Sequence, residues 1–354
     1  MHASRDLDRL LRGVSRSFYL TLRVAPRPLR RQLAVAYLFC RAADTIADTR
    51  LLPPAERLEH LDLFREQFAR DEASGEALRR IARRLGEPGA IPQERELLER
   101  LAECFAAYDA FDEADRALIR QLVTTLTRGM AMDLERFPPE ESGRVVALES
   151  DADLDRYCYH VAGCVGEFWT DLSCAHLAAL KHWDVDAFRA RGVRFGKGLQ
   201  MTNVLRDVDR DLAIGRLYLP ASRLLELGLS PEELQGAAER RALRPVVHDL
   251  LRLTVDHYRA GWEYTLAIPR RLFTLRLACV WPLWIGLRTL ALLARSRDPC
   301  APGVVLKISR PDVRRVQLSS LLKGASNRQL DRVYRRLERE VEQNLERRKL
   351  GTAS

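Results

Sequence analysis

Apolar residues recur along this chain at the helical spacing almost without interruption, and nothing reads as a series of alternating strands. That periodicity excludes sandwiches, barrels and doubly wound sheets and leaves an all-α architecture. It predicts helices at 15–24, 28–49, 54–70, 92–110, 113–136, 151–177, 185–212, 243–267 and 269–296, with shorter ones at 221–227 and 231–239. Pro53-Pro54 opens a helix, Asp151 and Asp153 are N-cap candidates, and Gly215 ends a helix that Pro220 keeps from resuming. VVLKIS at 304–309 is the one strand-like piece. Residues 326–349 form a charge-laced terminal helix with a solvated face, so one all-α domain over 1–325 is followed by a charged helix and tail over 326–354.

Within these helices the aspartates stand out. CRAADTIADT, at 40–49, sets Asp44 and Asp48 one turn apart among small and apolar residues. Like charges at i,i+4 repel by roughly 0.2–0.5 kcal/mol even when exposed, and far more when desolvated. Tyr37, Arg41, Asp44 and Asp48 share one helix face. A second stripe lies in GKGLQMTNVLRDVDRDLAIGRLYLP, at 196–220. Gln200, Asn203, Asp207 and Asp211 again share a face, with Arg206 beside them and Arg216 and Tyr218 just beyond the helix end. One D-x-x-x-D pair alone reads as an ordinary solvated face. Two such stripes in one helical chain suggest a site, with antiparallel helices bringing them face to face across a cavity. Carboxylate and amide oxygens suit Mg²⁺, which shares its coordination with water and phosphate. Arginines grip phosphate oxygens. A Mg²⁺–diphosphate cluster would alternate in sign with the carboxylates and remove the like-charge objection.

Other chemistries lack their residues. No histidine has Glu three positions before it, as a di-iron bundle wants, and there is no P-loop, no dinucleotide fingerprint after a strand and no nucleophile elbow. The net charge of +9 suits an anionic partner, but it is spread along the chain and carries no nucleic-acid motif. Seven cysteines without C-x-x-C spacing read as reduced, buried thiols of a cytoplasmic protein. The N-terminus lacks a signal-peptide core, and the apolar run at 277–287 is too short to span a bilayer. Peripheral contact at the inner face of the membrane stays open.

In RYCYHVAGCVGEFWTDL, at 156–172, Gly163 and Gly166 interrupt a helix that carries Tyr157, Val161 and Val165. The glycines read either as close helix packing or as a groove hollowed for an apolar chain. SRSFYL at 15–20 reads equally as a helix cap or as phosphate contacts from Ser15, Arg16 and Ser17.

Taken in order, SRSF, YLFCRAADTIAD, YCYHVAGCVG and QMTNVLRDVDRD…GRLYLP resemble the squalene/phytoene synthase family, from about residue 15 to 290. The resemblance implies the isoprenoid-synthase fold, a helical bundle around a central cavity. It implies Mg²⁺ on Asp44, Asp48, Asn203, Asp207 and Asp211. Ser15, Arg16, Ser17, Tyr37, Arg41, Gln200, Arg206, Arg216 and Tyr218 would surround two diphosphates, and Phe18, Tyr157, Val161 and Val165 would line the prenyl channel. The carboxylates would assist ionisation of an allylic diphosphate, and aromatic faces such as Tyr157 would stabilise the cation. GCVGEFWTDL and KISRPDV look most like bacterial squalene synthases. They imply two farnesyl diphosphates joined through presqualene diphosphate and reduced with NADPH to squalene, a precursor of sterols or hopanoids. Lys307 and Arg310 are then candidates for an NADPH phosphate. Phytoene or dehydrosqualene synthesis without NADPH, or a halt at presqualene diphosphate, are the alternatives. The C-terminal anchor of eukaryotic squalene synthases is not seen, so membrane attachment would be peripheral at most.

Overall fold

Local chemistry sets where the helices begin and end. Pro53 caps and Pro54 opens the helix Pro54–Glu66, where a missing N–H costs nothing. Gly215 takes φ +77°, the left-handed region that favours glycine, and turns the chain out of the helix Val208–Leu212. Ahead of Asp151–Cys158 the cap is Ser150 rather than either predicted aspartate. Ser150 Oγ accepts from the Asp153 N–H while the Asp153 carboxylate accepts from the Ser150 N–H, a capping box. These features belong to a computed structural model that describes residues 2–15, 18–86, 91–304 and 306–350. Among the described residues the chain is all-α apart from two short strands, and it divides into two compact units.

The first unit comprises Met1–Arg136 and Asp171–Ala178. The helix Arg30–Asp48 packs against Pro54–Glu66, Leu101–Asp109 and Glu113–Arg136. Its inner face delivers Phe39 into a cluster of rings, with Phe68 and Phe105 at centroid distances of 4.8 and 4.7 Å, and Phe64 and Tyr108 around them. Aromatic pairs of this kind contribute about 0.5–1.5 kcal/mol each beyond the area they bury. Gln32 Nε2 donates to buried Asp115 at 2.8 Å, and His176 Nε2 lies 2.7 Å from the other carboxylate oxygen. The stretch predicted as one helix over 92–110 breaks at Arg100, whose φ/ψ of −105°/16° separates Pro92–Glu99 from Leu101–Asp109. A helix at Gly75–Leu85, capped by Ser74, escaped the periodicity.

The second unit comprises Phe137–Thr170 and Ala179–Ser354. The helix Val185–Arg206 packs on Arg244–Ala267, on Phe273–Arg295 and on the turn Tyr159–Gly163. That turn is a π turn, one residue wider than α, within the predicted helix 151–177. The glycines here serve close packing rather than a groove. A Cβ on Gly166 would sit 1.9 Å from the Gly192 carbonyl oxygen, and one on Gly196 2.2 Å from that of Ala162.

Two short parallel strands, Val146–Leu148 and Arg216–Pro220, pair Val146 with Arg216 and Ala147 with Leu217. The 304–309 piece is not a strand among its described residues. Phe273–Arg295 is long and apolar enough to cross a membrane, unlike the shorter run read from sequence, but 78% of its most apolar window is buried inside the protein, as in a core helix. The terminal helix Asn327–Leu350 is not merely solvated. It buries Leu330, Tyr334, Leu337, Val341 and Leu345, and Tyr334 stacks on Trp262 at 4.5 Å.

Candidate active site

In the first unit, Tyr37, Arg41, Asp44 and Asp48 occupy the accessible side of Arg30–Asp48, opposite buried Leu33, Ala36, Phe39 and Ala43. The two carboxylates do repel. Asp44 is pushed up to about 7, first by desolvation and then by the charge of Asp48. Water still reaches 41% of its side chain, which softens the desolvation and leaves the Asp48 charge as the cause that does not depend on burial. Arg41 opposes the shift only partly. Its Nη1 lies 3.6 Å from Asp44, while its Nη2 pairs tightly with Glu94 on the helix Pro92–Glu99. Glu94 was missed from sequence, because nothing local marks a partner 53 residues away.

In the second unit the stripe is compensated from within. Asp207 ends Val185–Arg206 with φ/ψ −101°/13°, a break in the predicted helix 185–212. There its carboxylate takes both a 2.8 Å bond from Arg206 Nε and a second from Nη2. Asp211, one turn on, also adds to the field holding Arg206 charged. Asp209, the middle carboxylate of DVDRD, points elsewhere. Arg240 pairs with it and the Gly303 N–H donates to it at 2.9 Å, so it ties together two surface segments.

Above that stripe runs a polar and aromatic series. Asn203 Nδ2 donates to Gln200 Oε1 at 3.2 Å, and Gln200 Nε2 donates to Tyr157 OH at 3.3 Å. The Tyr157 ring stacks on Tyr218 at 4.5 Å, and Tyr218 meets Phe137 at 5.2 Å. The Arg216 guanidinium lies 5.9 Å from the Phe137 centroid. The parallel strand pairing therefore has a use. It brings Arg216 and Tyr218 back beside Tyr157, which helical periodicity alone did not predict. Phe137 is the second residue that sequence analysis passed over. Val161, on the π turn, and Val165 are half-buried, as is Tyr157.

Ser15 is buried, with its hydroxyl donating to the Leu11 carbonyl. Arg16 and Ser17 lie outside the described residues, as does the side chain of Phe18, whose backbone opens the helix Phe18–Val24. Lys307 and Arg310 are exposed at the start of the helix Arg310–Lys323. Among the described residues no three acidic, histidine or cysteine side chains converge enough to hold a metal unaided. The donors present are pairs of carboxylates and a neighbouring amide, all oxygen. Such a set fits Mg²⁺ whose remaining positions are taken by water and phosphate oxygens, and does not fit a closed zinc-type site. The raised Asp44 adds to that fit, since a divalent cation would relieve the repulsion that raises it.

Residues 11–321 match the model of the squalene/phytoene synthase family. The chain belongs to that family. It is a prenyltransferase that joins prenyl diphosphates head to head. Among curated relatives, the presqualene diphosphate synthase of Rhodopseudomonas palustris is 31% identical over 258 residues, covering 72% of this chain and 76% of that one. The 15-cis-phytoene synthase of Enterobacter agglomerans is 28% identical over 257 residues, covering 73% and 75%. Among solved structures, the complex of TcSQS with the ligand E5700 superposes with a TM-score of 0.76 at 22% identity over 97% of each chain, a likeness of fold.

Proposed function

We propose that this member of the family condenses two farnesyl diphosphates to presqualene diphosphate with Mg²⁺. The observation that carries the reading is the pair of D-x-x-x-D stripes, one of them holding a carboxylate pushed up to about 7 beside a second negative charge. Asp44 and Asp48, and Asp207 and Asp211 with Asn203, would hold the ions. Bound there, Mg²⁺ supplies charge neutralisation for a departing diphosphate. Arg41, Arg206 and Arg216 orient diphosphate oxygens, and on binding substrate Arg41 exchanges Glu94 for phosphate. The stacked Tyr157 and Tyr218 present ring faces to the allylic cation left when C1–O breaks. Half-buried Val161 and Val165 keep apolar walls near it. The second chain's double bond then attacks C1, a proton leaves, and a cyclopropyl ring forms while the second diphosphate stays attached. The names of the relatives from Rhodopseudomonas palustris and Zymomonas mobilis, both presqualene diphosphate synthases, support this product. Seven cysteines without a disulfide support a cytoplasmic location.

A second reading continues to squalene by hydride transfer from NADPH. It is favoured by Lys307 and Arg310, two exposed cations close in sequence that suit a nucleotide phosphate. One experiment separates the readings. The protein is incubated with labelled farnesyl diphosphate and Mg²⁺, with and without NADPH, and the products are extracted and identified. Presqualene diphosphate in both arms is the expected result, and squalene in the NADPH arm alone establishes the second reading. No C30 product from farnesyl diphosphate in either arm would overturn both.

A further inference from the structure

The helix Arg310–Lys323 carries its leucines on the outside. Its inner face is occupied: Val316 and Ser320 are buried, and Trp281 Nε1 donates to Ser320 Oγ at 2.7 Å. Leu318, Leu321 and Leu322 face away, with 63%, 49% and 85% of their surfaces exposed. At roughly 100° per residue, Pro311, Arg314, Arg315, Leu318, Leu321 and Leu322 fall within an arc of about 120°. All six are exposed. No carboxylate shares that arc. Asp312, the one acidic residue of the helix, accepts from Ser309 at 2.6 Å and pairs with Arg315 at 3.1 Å. Lys307 and Arg310 extend the basic end upstream.

Scattered exposed leucines need no explanation, but three on consecutive turns of one face do. Along this face the arginines precede the leucines, Arg314 and Arg315 toward the N-terminal half and Leu318, Leu321 and Leu322 toward the C-terminal half, which suits a helix seated in a lipid interface. The leucines enter the acyl boundary while the guanidinium groups remain among anionic headgroups. We propose that Arg310–Lys323 is an interfacial helix that seats this protein on an anionic lipid surface. The charge of the arc favours that occupant over a second copy of the chain, whose own arc carries the same positive charge and no carboxylate to meet it. The inference stands on this surface alone and is independent of which product the enzyme makes.

The test is flotation of the full chain with phosphatidylcholine vesicles, with and without phosphatidylglycerol. The chain floats with the anionic vesicles, and added salt weakens the association. The triple variant Leu318→Ser, Leu321→Ser, Leu322→Ser loses about tenfold or more of that binding. The double variant Arg314→Gln, Arg315→Gln loses the preference for anionic lipid. Both variants keep the wild-type circular dichroism and condensation rate in detergent-dispersed substrate. If the triple variant misfolds, the arginine pair decides alone. Wild-type protein that floats with neither vesicle, or variants that float as well as wild type, overturn the proposal. So does a concentration-dependent dimer in sedimentation velocity that the leucine substitutions abolish, which would give the face to a second copy.

Discussion

The two aspartate stripes have the same spacing and solve the problem of like charge differently. In the first, Arg41 is shared with Glu94 and stands 3.6 Å from Asp44, so the pair keeps an excess of negative charge. In the second, Arg206 is committed to Asp207 by two bonds before any ligand arrives. The difference teaches that a D-x-x-x-D motif specifies a face but not its charge state. The charge state depends on which arginine is adjacent and on what else that arginine touches. On the proposed reading the first stripe would gain a cation directly, whereas the second would have to release Arg206 from Asp207 as it gained one.

The largest test of that comparison is activity. Asp44→Asn and Asp207→Asn should each lower kcat/KM by about 10³-fold, since on the proposed reading each would remove a charged ligand from the ionisation step. A loss confined to one variant in steady-state assays would break the parallel between the stripes. The next effect is acid stability, where the two units should move oppositely. Buried His257, beside Gly198 of the second stripe's helix, is pushed down to about 4, first by burial and then by Arg194. Its contribution of roughly 3 kcal/mol is present above its unfolded value near 6.5 and is lost as pH falls from there toward 4. Asp44 has the opposite sign. Its raised value means that the folded state holds a proton the unfolded state gives up, so stability is lost as pH rises from about 4 to 7. Melting curves across that range should show a shallower acid limb for His257→Asn and a steeper one for Asp44→Asn.

At neutral pH the asparagine variants should also melt differently. Asp207→Asn leaves a half-buried guanidinium without its carboxylate and should cost about 1–2 kcal/mol. Asp44→Asn relieves repulsion and should raise the melting temperature slightly, by about 1 °C. Identical shifts would contradict the charge assignment. The smallest effect is on metal affinity. If Asp44 holds Mg²⁺ as proposed, binding needs its ionised form, so affinity should climb up to roughly tenfold per pH unit below 7 and level off above it. Calorimetry in buffers of different ionisation enthalpy should detect the released proton in wild type and lose it in Asp44→Asn.

Much of this was legible in advance, for physical reasons that particular residues show. A long helix such as Arg244–Ala267 writes its burial into the sequence every three or four residues, and both stripes were visible by the same rule. Short or irregular devices write nothing comparable. The strand Val146–Leu148 is too brief to alternate, and the π turn at Tyr159–Gly163 differs from α by one residue. The helix Arg310–Lys323 escaped because its apolar residues lie on two faces at once, Val316 inward and the leucines outward. Tertiary partners were invisible for another reason. Neither Arg41–Glu94 nor Arg240–Asp209 is local, so the identity of the charge beside each aspartate had to come from the fold.

The account rests on both stripes taking up Mg²⁺ together with diphosphate. Titration calorimetry with inorganic diphosphate, with and without Mg²⁺, tests this most directly. The prediction is tight binding only when both are present, abolished by Asp44→Asn and also by Asp207→Asn. Diphosphate binding that ignores Mg²⁺, or that survives either substitution unchanged, would contradict it.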